Sequence, residues 1–189
     1  MTVRVTLVSA VLGAAARQPR FEDDRPLGEP DLRPARAAAG QVDTGGLVVA
    51  APSARCRQTA EALGLAADPV PALAGAATGR WRGRSLEEVA AAEGAAVARW
   101  LSDPAAAPHG GESVLDLCAR VGGWLDALPA DGPRVTAVVE PDVVRAAVLH
   151  ALGVPGAAFW RLDVEPLSVI RLSGRLGRWN VRMSRPSGQ

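Results

Sequence analysis

A single α/β domain is predicted by three observations. The 189 residues suit one domain with a sizeable core. Short apolar runs rich in β-branched residues recur at Val3–Val8, Leu47–Ala50 and Arg134–Val139 and read as buried strands. The last two lead through a proline (Pro52, Pro141) into stretches of good helix formers, the alternation that parallel strands joined by helices require.

Composition narrows the function classes. The formal net charge is +1, with 21 basic residues, all arginine, set against 20 acids, so no polyanion-binding surface is indicated and nucleic acid is excluded as a partner. Arginine without lysine, beside abundant alanine, glycine and proline, reads as the bias of a GC-rich coding sequence. Cys56 and Cys118 form neither a CxxC pair nor a disulfide framework and are expected as small reduced residues in or near the core. Two histidines, His109 and His150, are too few for a His-rich metal site. No apolar run reaches the roughly 18 residues that span a membrane, and a cytoplasmic location is expected.

Taken in order, Met1 to Arg17 admits two readings. One is a secretory signal peptide, with Arg4 ahead of an apolar stretch and Ala14-Ala15-Ala16 near its end. The other is a first strand, Val3–Val8, feeding a loop; Thr6, Ser9 and Gly13 interrupt the apolar stretch and favour it. Asp31 is placed to cap a helix running to Gly40, with Pro34 in its first turn. The stretch Pro52 to Ala60, Pro-Ser-Ala-Arg-Cys-Arg-Gln-Thr-Ala, makes a tight turn and a helix closed by Gly64, with Arg55 in the first helical turn. An arginine beside free helix N–H groups suits an anion; an ordinary surface arginine is the alternative.

Asp68 to Leu73 is a proline-rich link. Trp81 is expected as a packing anchor, and Ser85 with Glu88 forms a capping box that starts the next helix, ending near Ser102. His109, in the loop from Pro104 to Gly111, is expected in solvent. Leu115, Leu117, Val121, Trp124, Leu125 and Leu128 give the following helix an apolar face. The helix after Arg134–Val139 ends at Gly153, with His150 on its surface or facing another subunit. No repeat or second domain is visible.

These segments together resemble the histidine phosphatase (phosphoglycerate-mutase-like) superfamily. The Pro52–Ala60 stretch resembles its second signature, whose phosphoryl-holding arginine falls on Arg55. Phe21, Pro26-Leu27 and Ala35 match the lead into the first helix loosely; Gly79, Trp81, Gly83 and Ser85 match a later motif well. Gly110-Gly111-Glu112-Ser113 resembles the segment that opens a helix at the pocket rim, and Ala158–Asp163, Pro166–Leu172 and Arg178–Arg182 resemble the closing strands. The resemblance implies a three-layer α/β/α sandwich around a mostly parallel sheet, with the site at the C-terminal strand ends. It covers residues 1–183 as one domain and leaves 184–189 as a disordered tail.

The departures fall on the chemistry. The family's nucleophilic histidine falls on Ala10, the arginine before it on Ser9, the general-acid glutamate on Gly75 and the second histidine on Glu140. Arg55 is the member of the core set that remains. An alanine methyl forms no phosphoenzyme, and a carboxylate among phosphate oxygens repels a dianion. Glu140 is therefore expected to pair with Arg55, with Asp142 as the fallback partner. The resemblance then implies a catalytically degenerate, non-hydrolytic ligand-binding, scaffold or regulatory protein. The alternative is a phosphomonoester phosphatase, of the kind that acts on α-ribazole phosphate, with Ser9 or Asp142 as substitute nucleophile. Arg55, Ser9, Glu140, Asp142 and Ser113 are the candidate ligand-binding residues. No cofactor or metal is implied; the partner is an unknown small molecule or protein, and a homodimer is an open alternative.

Overall fold

The computed structural model describes residues 2–13, 20–21, 24–42, 45–175 and 177–184. The expected disorder of 184–189 and the Ala14–Ala16 part of the signal-peptide reading lie outside those residues, apart from the backbone of Ser184.

The strand reading of the N-terminus holds: Val3–Ser9 forms β1, with Val3, Val5 and Leu7 buried on alternate positions. β2 (Gly46–Ala50), the short β3 (Asp68–Pro69), β4 (Arg134–Val139), β5 (Val169–Arg175) and β6 (Arg178–Ser184) complete one sheet in the order β3-β2-β4-β1-β5-β6. The pairs β3–β2, β2–β4 and β4–β1 are parallel, whereas β1–β5 and β5–β6 are antiparallel. Register pairs Val5 with Val135 and Ser9 with Val139, so β1 and β4 end at one level. The mostly parallel sheet is buried centrally, which is why β4 reads as a nearly continuous apolar run.

The described residues form the α-helices α1 (Glu29–Ala37), α2 (Ala54–Ala62), α3 (Leu86–Ser102), α4 (Val114–Asp126) and α5 (Pro141–Leu152), of which α3 packs in a separate cluster around Trp81. α1 packs on α2 beside β2 and β4, while α4 packs on α5 against β1 and β6, giving three layers. α3 begins with the expected box: Ser85 Oγ accepts from the Glu88 N–H, and Glu88 accepts from the Ser85 N–H.

Four local expectations need correction. Gly28, not Asp31, caps α1; Asp31 lies in the first turn and accepts from the Gly28 N–H at 3.1 Å. Pro30, whose fixed φ and missing N–H suit a first turn, moves the start forward and leaves Pro34 inside the helix. Leu115 does not join the buried face of α4, being 44% exposed, while Val114, Leu117, Val121 and Leu125 do. Gly156–Arg161 is a 3₁₀ helix rather than strand, burying Phe159. His150 is half-buried rather than out on the helix surface: its ring lies against Gly122 of α4, with Nε2 3.1 Å from Asp126.

Candidate functional site

The C-terminal ends of the parallel strands open on a cavity of about 530 Å³. β2 runs through Ala51 and Pro52 to Ser53, the N-cap of α2, whose Oγ accepts from the Cys56 N–H at 3.2 Å. That cap fixes Arg55 one residue into the helix. Opposite, β4 delivers Glu140 as the N-cap residue of α5, and Pro141 occupies the first turn. Glu140 makes no side-chain bond to its own helix.

Its carboxylate crosses the floor instead. Arg55 Nε donates to Glu140 Oε1 at 3.2 Å and Arg55 Nη2 to Oε2 at 2.5 Å, a fork-to-fork pair. Ser53 Oγ adds a third bond to Oε1 at 2.7 Å. The side chains are 24% and 8% exposed, so the pair is largely withdrawn from water. Burial by itself would lower the Arg55 pKa, but the charge and hydrogen bonds of Glu140, helped by Cys56 and Asp142, outweigh it and hold the guanidinium above its ordinary value. Burial, then Glu140, pushes the Cys56 thiol well up.

Beside the pair, the segment 74–76 is anchored from two sides. Arg120 of α4 donates to the carbonyls of Ala72 and Ala74 at 2.9 Å each and grips Glu112 with Nε and Nη2 at 2.8 and 2.7 Å. The Glu112 hydrogen bond raises the Arg120 pKa. Asp142 accepts from the Ala76 N–H at 2.7 Å and from the Val143 N–H at 2.8 Å. Burial pushes the Asp142 carboxyl up and Glu140's charge adds to this, while the two N–H donors pull it back. The next turn packs backbone to backbone: Arg80 N–H donates to the His109 carbonyl at 3.1 Å, and a Cβ on Gly79 would lie 2.3 Å from that oxygen.

The profile of the histidine phosphatase superfamily (branch 1) matches residues 15–185. The chain belongs to this superfamily. A mycobacterial glucosyl-3-phosphoglycerate phosphatase with VO3 superposes with a TM-score of 0.83 at 26% identity, covering 98% of this chain and 100% of that one. An Escherichia coli protein provisionally assigned as an α-ribazole-5′-P phosphatase gives 0.85 at 18%, covering 99% and 98%. A phosphoserine phosphatase from Entamoeba histolytica gives 0.83 at 15%, covering 96% of each chain. Comparison with curated protein sequences finds no match.

Within this histidine phosphatase fold, Arg55, Gly75, Glu140 and Asp142 line one cavity, and the expected Arg55–Glu140 pairing is present. Ser9, Ala10 and Ser113 are not part of the lining among the described residues; all three are buried. Ser9 Oγ has no hydrogen-bond partner among the described residues, and Ser113 Oγ is taken by Asp116 at 2.6 Å. Trp81 is a fully buried anchor as expected. His109 is a correction: it is 2% exposed, lines the cavity and meets Trp81 edge-on at 4.9 Å, with Nδ1 accepting from the Gly111 N–H at 3.0 Å. The turn that carries it is pinned by Gly79, so the ring folds inward. Sequence reasoning also missed Ser53, Arg120 and the rings of Phe21, Trp100, Phe159 and Trp160 on the cavity wall. Ser53 had a signal in its N-cap spacing; the rings come from three segments, Phe159 and Trp160 sharing one, with no common pattern.

Among the described residues no group of three or more metal-ligating side chains comes together, and no helix is long and apolar enough to cross a membrane.

Proposed function

We propose that this chain is a non-hydrolytic, ligand-binding member of the histidine phosphatase superfamily whose phosphate site is closed by its own glutamate. The observation that carries the reading is the Arg55–Glu140 fork, completed by Ser53. The guanidinium edge suited to phosphate oxygens is occupied, and a dianion brought there meets a carboxylate in a shielded setting.

The residues around the fork support the same reading. Transfer through a phosphoenzyme needs a nucleophile in the cavity, and the position the family resemblance assigns to it is a buried alanine, Ala10. His109 lines the cavity, but its Nδ1 lone pair is engaged by Gly111. The position of the general acid is Gly75, which donates no proton from a side chain.

A second reading, a phosphomonoester phosphatase with a substitute nucleophile, is favoured by the similarity to solved phosphatases over nearly the full chain. Asp142 is its best candidate, because it lines the cavity; Ser9 does not. The deciding experiment is phosphate release from a broad set of phosphomonoesters, with the Arg55→Ala variant run beside the wild type. Equal background release from both is expected. Release by the wild type that disappears in Arg55→Ala selects the phosphatase reading.

A further inference from the structure

We propose that the cavity takes an uncharged small molecule carrying a flat unsaturated ring; this rests on the non-hydrolytic reading of the same site. The chain has only seven phenylalanines and tryptophans, two and five respectively. Four of them, Phe21, Trp100, Phe159 and Trp160, line this one cavity. They form a continuous band: ring centroids lie 5.5 Å apart for Phe21–Trp100, 4.4 Å for Trp100–Trp160 and 4.8 Å for Phe159–Trp160. Trp81 backs the band, 5.3 Å from Phe21 and 5.7 Å from Trp100. Phe159 and Trp81 are buried, whereas Phe21, Trp100 and Trp160 keep part of their surface accessible. Accessible rings at a cavity wall, held rigid by buried rings behind them, are a stacking platform that demands little ordering from the protein.

Charge selects among flat ligands. Four arginines and four carboxylates line the cavity among the described residues, so the lining has no formal net charge. Three of these arginines, Arg55, Arg145 and Arg20, are also held by protein groups, and the fourth, Arg82, is exposed at the rim. Arg55 is held by Glu140. Arg145 donates to the Leu162 carbonyl at 2.7 Å and lies over the rings of Phe159 and Trp160 at 5.8 and 6.0 Å. Arg20 donates to the Gly83 carbonyl at 2.8 Å and pairs with Glu88 at 3.2 Å. A multiply charged ligand gains little from such a lining and loses its hydration on entry; a neutral ring loses little and gains the wall.

The test uses the full chain with adenosine and adenosine 5′-monophosphate as a matched pair, indole as a second flat neutral probe, glucose as a neutral saturated one, and orthophosphate. Binding is read by calorimetry and by quenching of tryptophan fluorescence, and phosphate release is measured in the same samples. The expected result is binding of adenosine and indole. Adenosine 5′-monophosphate is expected to be at least about tenfold weaker than adenosine, a difference of about 1.4 kcal/mol, and glucose and orthophosphate to give no signal. Trp100→Ala and, independently, Trp160→Ala are expected to weaken adenosine at least about tenfold while the far-ultraviolet circular dichroism is unchanged. Equal or tighter binding of adenosine 5′-monophosphate, of orthophosphate or of glucose overturns the proposal, as does no binding of either flat probe or full affinity in both folded variants. Hydrolysis of adenosine 5′-monophosphate overturns the non-hydrolytic reading instead, whereas absent ring binding without hydrolysis overturns the ligand class alone.

Discussion

Helices α4 and α5 both begin at the edge of the cavity, but their first residues do opposite things. At α4, Ser113 and Asp116 satisfy one another: Ser113 Oγ accepts from the Asp116 N–H at 3.1 Å, and Asp116 accepts from the Ser113 N–H at 3.0 Å. The capping box is closed, and the Ser113 hydroxyl commits its proton and one lone pair to it. At α5, Glu140 occupies the cap position without capping, and its carboxylate serves Arg55 and Ser53 across the floor. Asp142 gives the first turn of α5 one acceptor in its place, for the Val143 N–H. Two neighbouring helix starts thus separate a residue spent on its own helix from one turned across the cavity floor.

The largest effect is expected from removing one half of the floor pair. Arg55→Ala leaves the nearly buried Glu140 with Ser53 as its remaining hydrogen-bond partner at the floor and loses about 2–4 kcal/mol of stability, whereas Glu140→Ala, leaving the more exposed Arg55, loses about 1–3 kcal/mol. Urea unfolding of both single variants and the double variant checks this. The double variant should lose less than the sum, because the two residues act on one interaction.

Helix capping gives the next, smaller pair. Ser113→Ala should lose about 1 kcal/mol, and Glu140→Ser should be about 1 kcal/mol more stable than Glu140→Ala because serine restores a cap to α5. Equal stabilities of Glu140→Ser and Glu140→Ala would remove the contrast between the two helix starts.

The smallest effects are in pH dependence, and the two starts differ in sign. The hydroxyl and N–H of Ser113 hold the Asp116 carboxyl below its ordinary value, so its stabilisation is present above that value and fades as pH falls through the lowered one. Burial, with Glu140, holds Asp142 above its ordinary value. The folded chain therefore keeps that proton more tightly than the unfolded chain, and this contribution declines as pH rises through the raised value. Unfolding free energies between about pH 3 and pH 7 should show Asp116→Asn flattening the acid-side loss and Asp142→Asn flattening the opposing decline.

Much of the frame was legible in the sequence because burial writes periodic patterns. Val3–Val8, Leu47–Ala50 and Arg134–Val139 are the central strands, and Pro52 and Pro141 mark the turns that present Arg55 and Glu140. Their pairing could be anticipated, because an arginine withdrawn from water calls for a carboxylate. What escaped the sequence is long-range or depends on backbone geometry. The rings at Phe21, Trp100 and the adjacent Phe159 and Trp160 converge from three separate segments, and no local spacing announces that. His109 turns inward because Gly79 lets the two backbones close on one another. Arg120, one of 21 arginines, gains its role only from the carbonyls of Ala72 and Ala74, presented by a different segment. Ser113 matched a motif at the pocket rim, yet its cap bonds consume it.

The most direct test of the closed phosphate site is a calorimetric titration of orthophosphate into the wild type and into Glu140→Ala at pH 7. The expected result is no binding to the wild type and measurable binding to Glu140→Ala, where Arg55 is released from its glutamate. Orthophosphate binding to the wild type as tightly as to the variant would contradict it.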